Sequence, residues 1–260
     1  MIKKIVLTIL ILIFLFVAVF AGIQVIREYR ERKESADVYT DLDKFVEIPE
    51  VPVETEEDVT NPSESGETQA PNNDPTIDFD ALLSINSDCV GWIHIPDTGI
   101  SYPVVQGSDN SHYLKHLFNG KWNSGGCIFM DCRVNADLSD RHSIIYGHHM
   151  KDGTMFSGLT KYKKQEYYEE HPTGLFITQN CTYQIEFFAG YVARVDEAAW
   201  KIDFQSDEKY EAWIKETVDK SWLTSPLSPA VTDRVLTLST CSYEFDNARF
   251  VLVGILSEIN

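Results

Sequence analysis

The chain has 260 residues, 43% of them hydrophobic and 24% charged, with a formal net charge of −18. That length accommodates one domain of ordinary size plus appendages. So acidic a balance lacks the basic surface that nucleic-acid binding requires, and five cysteines in no regular framework do not read as a disulfide-built scaffold.

After a tail of residues 1–4, Ile5 to Ile26 form an uninterrupted uncharged stretch of 22 residues rich in Leu, Ile, Val and Phe. At about 1.5 Å per residue such a stretch crosses a hydrocarbon core of about 30 Å. It reads as a retained single-pass anchor. A cleaved signal peptide is the rival, because Val19-Phe20-Ala21 offers a small-residue end, but the apolar run is long for that role. Lys3 and Lys4 precede the span whereas Arg27, Arg30, Arg32 and Lys33 follow it, so the count of positive charges runs against an inside N-terminus. Between Glu34 and Thr76 stand 13 acidic residues and one basic residue, Lys44, with Pro, Ser, Asn and Thr gathered from Asn61 to Pro75. Residues 27–76 therefore read as an acidic, extended linker and residues 77–260 as the folded domain.

Ile77 to Asn86 reads as a short helix, with Phe79, Leu82 and Leu83 at spacings of three and four. Short apolar runs broken by Pro and Gly follow at Gly91 to Ile95, Ile100 to Val105 and Gly126 to Met130, and they read as successive strands. Ser143 to Met150 is an apolar strand that ends in Gly147, His148 and His149, so that imidazoles emerge at a strand terminus. Met155 to Glu170 reads as helical, and Gly174 to Gln179 and Thr182 to Arg194 as strands. Ser206 can cap a helix over Asp207 to Lys220 whose Tyr210, Trp213, Ile214 and Val218 share one face. The pattern amounts to a mixed, strand-dominated α+β domain.

Two strands close the chain, Arg234 to Ser242 and Ala248 to Leu256, with polar turn residues in Tyr243-Glu244-Phe245-Asp246-Asn247 between them. With a side-chain period of two, Thr237, Ser239 and Cys241 share a face. A hairpin centred near Phe245 places Cys241 directly opposite Arg249. Opposed Cβ atoms on one face lie roughly 4.5 to 5.5 Å apart, close enough for a permanent guanidinium charge to favour a thiolate or an oxyanion. A lone strand cysteine is more often a small buried hydrophobe, and a lone arginine a solvated charge. Adjacent histidines on extended backbone diverge, so at most one of His148 and His149 faces the thiol.

Thr237-Leu238-Ser239-Thr240-Cys241, the upstream Tyr146-Gly147-His148 and the downstream Arg249 together resemble the sortases, most closely class B. The resemblance runs from about Ile77 to the end and extends to Gln106 to Leu114, Ile128 to Asp131, Tyr146 to Phe156 and the helix before the catalytic strand. It implies an eight-stranded β-barrel with peripheral helices. It also implies a cysteine transpeptidase that cleaves a C-terminal sorting signal of secreted proteins after Thr, holds the acyl group on Cys241 and passes it to a peptidoglycan amine. His148 becomes the acid, Arg249 the oxyanion partner, His149 a structural residue, and Ser239, Leu114 and Asn110 candidate substrate contacts. Ser242 stands where some class B members carry a carboxylate. The resemblance places the domain outside a cell membrane.

Other readings are a pilus-assembling enzyme with a pilin lysine as acceptor, a plain cysteine protease, and a non-catalytic adhesin on a stalk. No cofactor or metal is expected. Cys127, Cys132, His148 and His149 fit no common zinc spacing, and a Cys127 to Cys132 disulfide is a minor alternative to free thiols. Val195 to Phe204, with Ala198, Ala199 and Trp200, is a candidate groove wall.

Overall fold

A computed structural model of the chain describes residues 2–49 and 75–259. Helix α1 (Ile2–Asp43) is one continuous element of 42 residues. Its N-terminal part is long and apolar enough to cross a membrane, with a mean hydropathy of 3.2 over its most apolar window and none of that window buried in protein. Beyond Ile26 the helix changes character and does not unwind. Arg27 pairs with Glu31 at 2.9 Å and Arg32 with Glu28 at 2.5 Å, both at the i,i+4 spacing that supports a helix. The less exposed positions Glu31, Glu34, Ser35, Val38, Tyr39 and Leu42 recur at helical spacing along one face.

Residues 27–43 are thus helical and docked on the domain, which corrects the expectation of an extended linker from 27 to 76. The acidic count averages over too long a window and hides a segment of alternating charge with Tyr39 and Leu42 to bury. Strand β1 (Val46–Glu47) pairs antiparallel with β2 (Thr76–Ile77), so both ends of the intervening stretch meet at the domain. The rest of that linker, residues 50–74, lies outside the described residues.

Asp78 caps α2 (Phe79–Ile85) by accepting from the Ala81 amide at 2.9 Å, and Phe79 and Leu82 are buried beneath it. Eight strands then close a barrel: β3 (Cys89–Ile95), β4 (Ile100–Val105), β5 (Ile128–Met130), β6 (His142–Tyr146), β7 (Thr173–Ile177), β8 (Thr182–Arg194), β9 (Arg234–Cys241) and β10 (Ala248–Glu258). Around the barrel the order is β10-β8-β7-β3-β4-β5-β6-β9, with β9 joined back to β10. The β4/β5 and β6/β9 pairs are parallel and the others antiparallel. Closure leaves the barrel itself no free edge. The segment expected to be helical from Met155 to Glu170 divides into a 3₁₀ stretch, Phe156–Lys163, and α3 (Gln165–Glu170).

Period-two alternation sorts the side chains of the last hairpin into two cores. Leu236, Leu238, Phe250 and Leu252 pack with Ile93, Ile128, Ile185 and Phe187 inside the barrel. Val235, Val251 and Val253 point outward and pack with Tyr210, Trp213 and Ile214 of α4 (Asp207–Lys220). The Ser206 hydroxyl caps α4, accepting from the Lys209 amide. Thr217 is the fourth buried residue of this face and Val218 is turned out, which corrects the expected stripe. The spacing 210, 213, 214, 217 is the regular helical one, and the Thr217 side chain is buried with the other three.

Candidate active site

The β9–β10 register sets Arg249 directly opposite Cys241, and Val251 opposite Ser239. The connecting turn is closed by Ser242 N–H to Ala248 C=O at 3.0 Å and by Ala248 N–H to Phe245 C=O at 3.1 Å. Strand β6 lies parallel to β9 on its other side, with Tyr146 paired to Ser239, and Gly147 N–H continues the ladder to Ser239 C=O at 3.0 Å. The chain leaves β6 at Gly147, where an added Cβ would sit 2.5 Å from Ile128 and 2.6 Å from Phe156, so only glycine fits. His148 emerges next to the hairpin as a consequence.

A cleft of ≈ 550 Å³ is lined by His148, Cys241 and Arg249 together with Ser239, Leu114 and Asn110. All six residues singled out in the sequence therefore share one surface. His148 Nε2 lies 2.8 Å from Leu114 C=O. A carbonyl only accepts, so Nε2 carries a proton and Nδ1 is the nitrogen that exchanges one. The neighbouring Cys241 thiol raises the His148 pKa, the Leu114 carbonyl adds to the rise, and burial and the Arg249 charge oppose it. His148 in turn lowers the Cys241 pKa, with Arg249 adding to the fall against partial burial. Both shifts favour the thiolate and imidazolium pair. His149 points away from the thiol, and its Nδ1 lies 3.1 Å from Cys241 C=O, so it steadies the backbone of that residue.

Ser239 is 2% exposed, and its buried hydroxyl has no hydrogen-bond partner among the described residues. An unpaired buried hydroxyl is costly unless a ligand completes it. Asn110 spends its side-chain carbonyl on the Cys132 amide at 2.8 Å and lines the cleft. Leu114, 37% exposed, presents its side chain to the opening.

Sequence reasoning missed much of the cleft floor. Phe129, Arg133 and Tyr146 line it too, as do Val195 and Trp200 from the anticipated wall. Asp131, fully buried at the end of β5, accepts from Arg133 Nε at 2.8 Å, Arg133 Nη2 at 2.6 Å and the Tyr146 hydroxyl at 2.8 Å. Burial alone would raise the Asp131 pKa, but the bidentate Arg133 and the other donors carry it well below the usual carboxylate range. His142 gives no sign of its place in the sequence pattern. It is buried, with Nδ1 2.6 Å from Lys201 C=O and Nε2 2.7 Å from the Thr237 hydroxyl, and burial lowers its pKa to about 4. Neutral His142 thus ties the Trp200 wall to β9. A motif that spans three elements leaves no spacing for a sequence reader to find.

All five cysteines are free, which removes the Cys127 to Cys132 disulfide, and no group of metal-binding side chains occurs among the described residues. The arrangement holds a half-buried thiol, an imidazole and a fixed guanidinium in one apolar-walled cleft. Such a set can attack a carbonyl, stabilise the oxyanion and protonate the leaving group.

A family model described as a sortase domain matches residues 93–257. Sortase B of Staphylococcus aureus is 36% identical over 184 residues, covering 70% of this chain and 75% of that relative. Its structures, which include a substrate complex and a complex with triglycine, superpose with a TM-score of 0.67, covering 70% of this chain and 85% or 86% of theirs. Sortase B of Listeria monocytogenes is 36% identical over 175 residues, 66% of this chain and 71% of that relative. Sortase B from Bacillus anthracis superposes with a TM-score of 0.72 at 29% identity, covering 89% of this chain and all of the other.

Proposed function

Because this chain belongs to the sortase family and is a cysteine transpeptidase of the class B kind, we propose that it anchors secreted proteins to the cell wall. Its donor is a C-terminal sorting signal cleaved after Thr, and its acceptor an amine of peptidoglycan. α1 holds it as a single-pass membrane protein with the domain outside, residues 77–260 forming the catalytic domain.

Cys241 as thiolate attacks the threonine carbonyl, forming a C–S bond and an oxyanion beside the Arg249 guanidinium. The C–N bond breaks as His148, an imidazolium, gives its proton to the departing amine. The thioester on Cys241 is then attacked by the acceptor amine. His148, now neutral, takes the amine proton, an amide bond forms and the thiolate leaves. Ser239, Leu114 and Asn110 bind the sorting peptide in the cleft.

The observation that supports this reading most is the register pairing of Cys241 with Arg249 in a cleft that His148 also lines. The Staphylococcus aureus complexes with a substrate and with triglycine support a peptide donor and an amine acceptor for the relative, and by analogy here. The test incubates the purified protein with a library of sorting peptides and a peptidoglycan stem mimic. The expected product joins the threonine carbonyl to the mimic's amine, in a yield that rises with amine concentration. Free acid alone at every amine concentration would overturn transfer in favour of hydrolysis.

A further inference from the structure

We infer that the loop of residues 112–124 is a membrane-docking ledge that beds Trp122 in the headgroup region of the bilayer. The inference rests on the reading of α1 as a membrane anchor. It goes beyond that reading by assigning the folded domain a second, independent contact with the lipid.

The loop is a tight reversal. Leu117 and Phe118 are buried, Leu117 N–H meets Lys121 C=O at 2.9 Å, and Asn123 N–H meets Lys115 C=O at 2.9 Å. Trp122 stands at its outer side, 49% exposed. Tryptophan is favoured at membrane interfaces, where its ring is apolar and its N–H stays wet. Lys115 and Lys121 flank it, both exposed. Cationic side chains in that position meet anionic headgroups.

The position of the loop is fixed by α1. Arg27, the first residue after the apolar span, lies over the Trp122 ring at 5.3 Å. Asn123 donates to Glu31 C=O at 2.9 Å, the Ser124 hydroxyl donates to Glu31 at 2.6 Å, and Lys121 reaches Glu34 at 3.0 Å. Trp122 therefore sits about one helical turn, roughly 5 Å, from the end of the span. If Ile5 to Ile26 fill the hydrocarbon, Trp122 lies at headgroup depth.

The test uses the full chain in phosphatidylcholine and phosphatidylglycerol vesicles whose acyl chains are brominated near the headgroups. The apolar span contains no tryptophan, so quenching reports on the domain. The expected result is a quenched fraction of tryptophan emission that is lost in Trp122→Phe. That variant should co-float with vesicles as wild type does, and turn over a soluble peptide and amine within about twofold of wild type. Equal quenching in both proteins, or none in either, with flotation intact would overturn the ledge and leave the anchor standing. Failure of wild type to float would remove the anchor and the ledge with it.

Discussion

Val235, Val251 and Val253 lie toward one end of the outward face of the β9–β10 hairpin, sealed beneath Trp213 and Ile214 of α4. Cys241 and Arg249 lie at the other end of the same face, half-buried in the cleft. One pair of strands thus supplies both a packed support and a reactive edge, and period-two geometry carries the rigidity of the first to the second. Between them Thr237 bonds His142 and Ser239 keeps an unpaired hydroxyl, so polarity rises stepwise toward the thiol. The two ends should fail differently when altered.

The largest expected effect is at the open end. Cys241→Ala should lower turnover by about 10³-fold or more, and His148→Ala by about 10²- to 10⁴-fold, with unfolding midpoints close to wild type. At the sealed end Trp213→Ala should do the reverse. Deleting so large a buried ring costs about 3 to 5 kcal/mol of stability, read as a lower denaturant midpoint, while the protein that remains folded keeps most of its kcat. A variant at either end that lost both properties equally would show that support and reactivity are not separable along the hairpin.

A smaller effect is expected at Arg249. After the mutual influence of thiol and imidazole, the Arg249 charge lowers the pKa of both Cys241 and His148. In the proposed mechanism the working form needs the thiolate and the imidazolium together, so kcat/KM should be bell-shaped between the two values. Removing the charge raises both, and the residual activity of Arg249→Gln should show both limbs displaced to higher pH. Unmoved limbs would mean that Arg249 acts on the oxyanion alone. Arg249→Lys keeps the charge but not the planar fork, and should lose about 10²-fold in kcat with the limbs in place.

The same contrast explains what is legible in the chain. The Cys241 and Arg249 pairing can be read because two unbroken strands around a five-residue polar turn admit one simple register, and the structure has that register. Helix α4 is legible in the same way from its cap and stripe, with Thr217 hidden because a polar side chain breaks a pattern sought among apolar ones. Residues 27–43 mislead because helical pairs such as Arg27 with Glu31 act over four residues, whereas composition averages over dozens. The Asp131, Arg133 and Tyr146 cluster needs β5 and β6 side by side, a pairing that forms only when the barrel closes.

The most direct test of the site is mass spectrometry of the protein quenched in acid during turnover of a sorting peptide. The expected product is a thioester adduct, carrying the donor peptide up to its threonine, on the fragment that contains Cys241. An adduct on Cys89, Cys127, Cys132 or Cys181 instead, or full turnover by Cys241→Ala with no adduct at all, would contradict it.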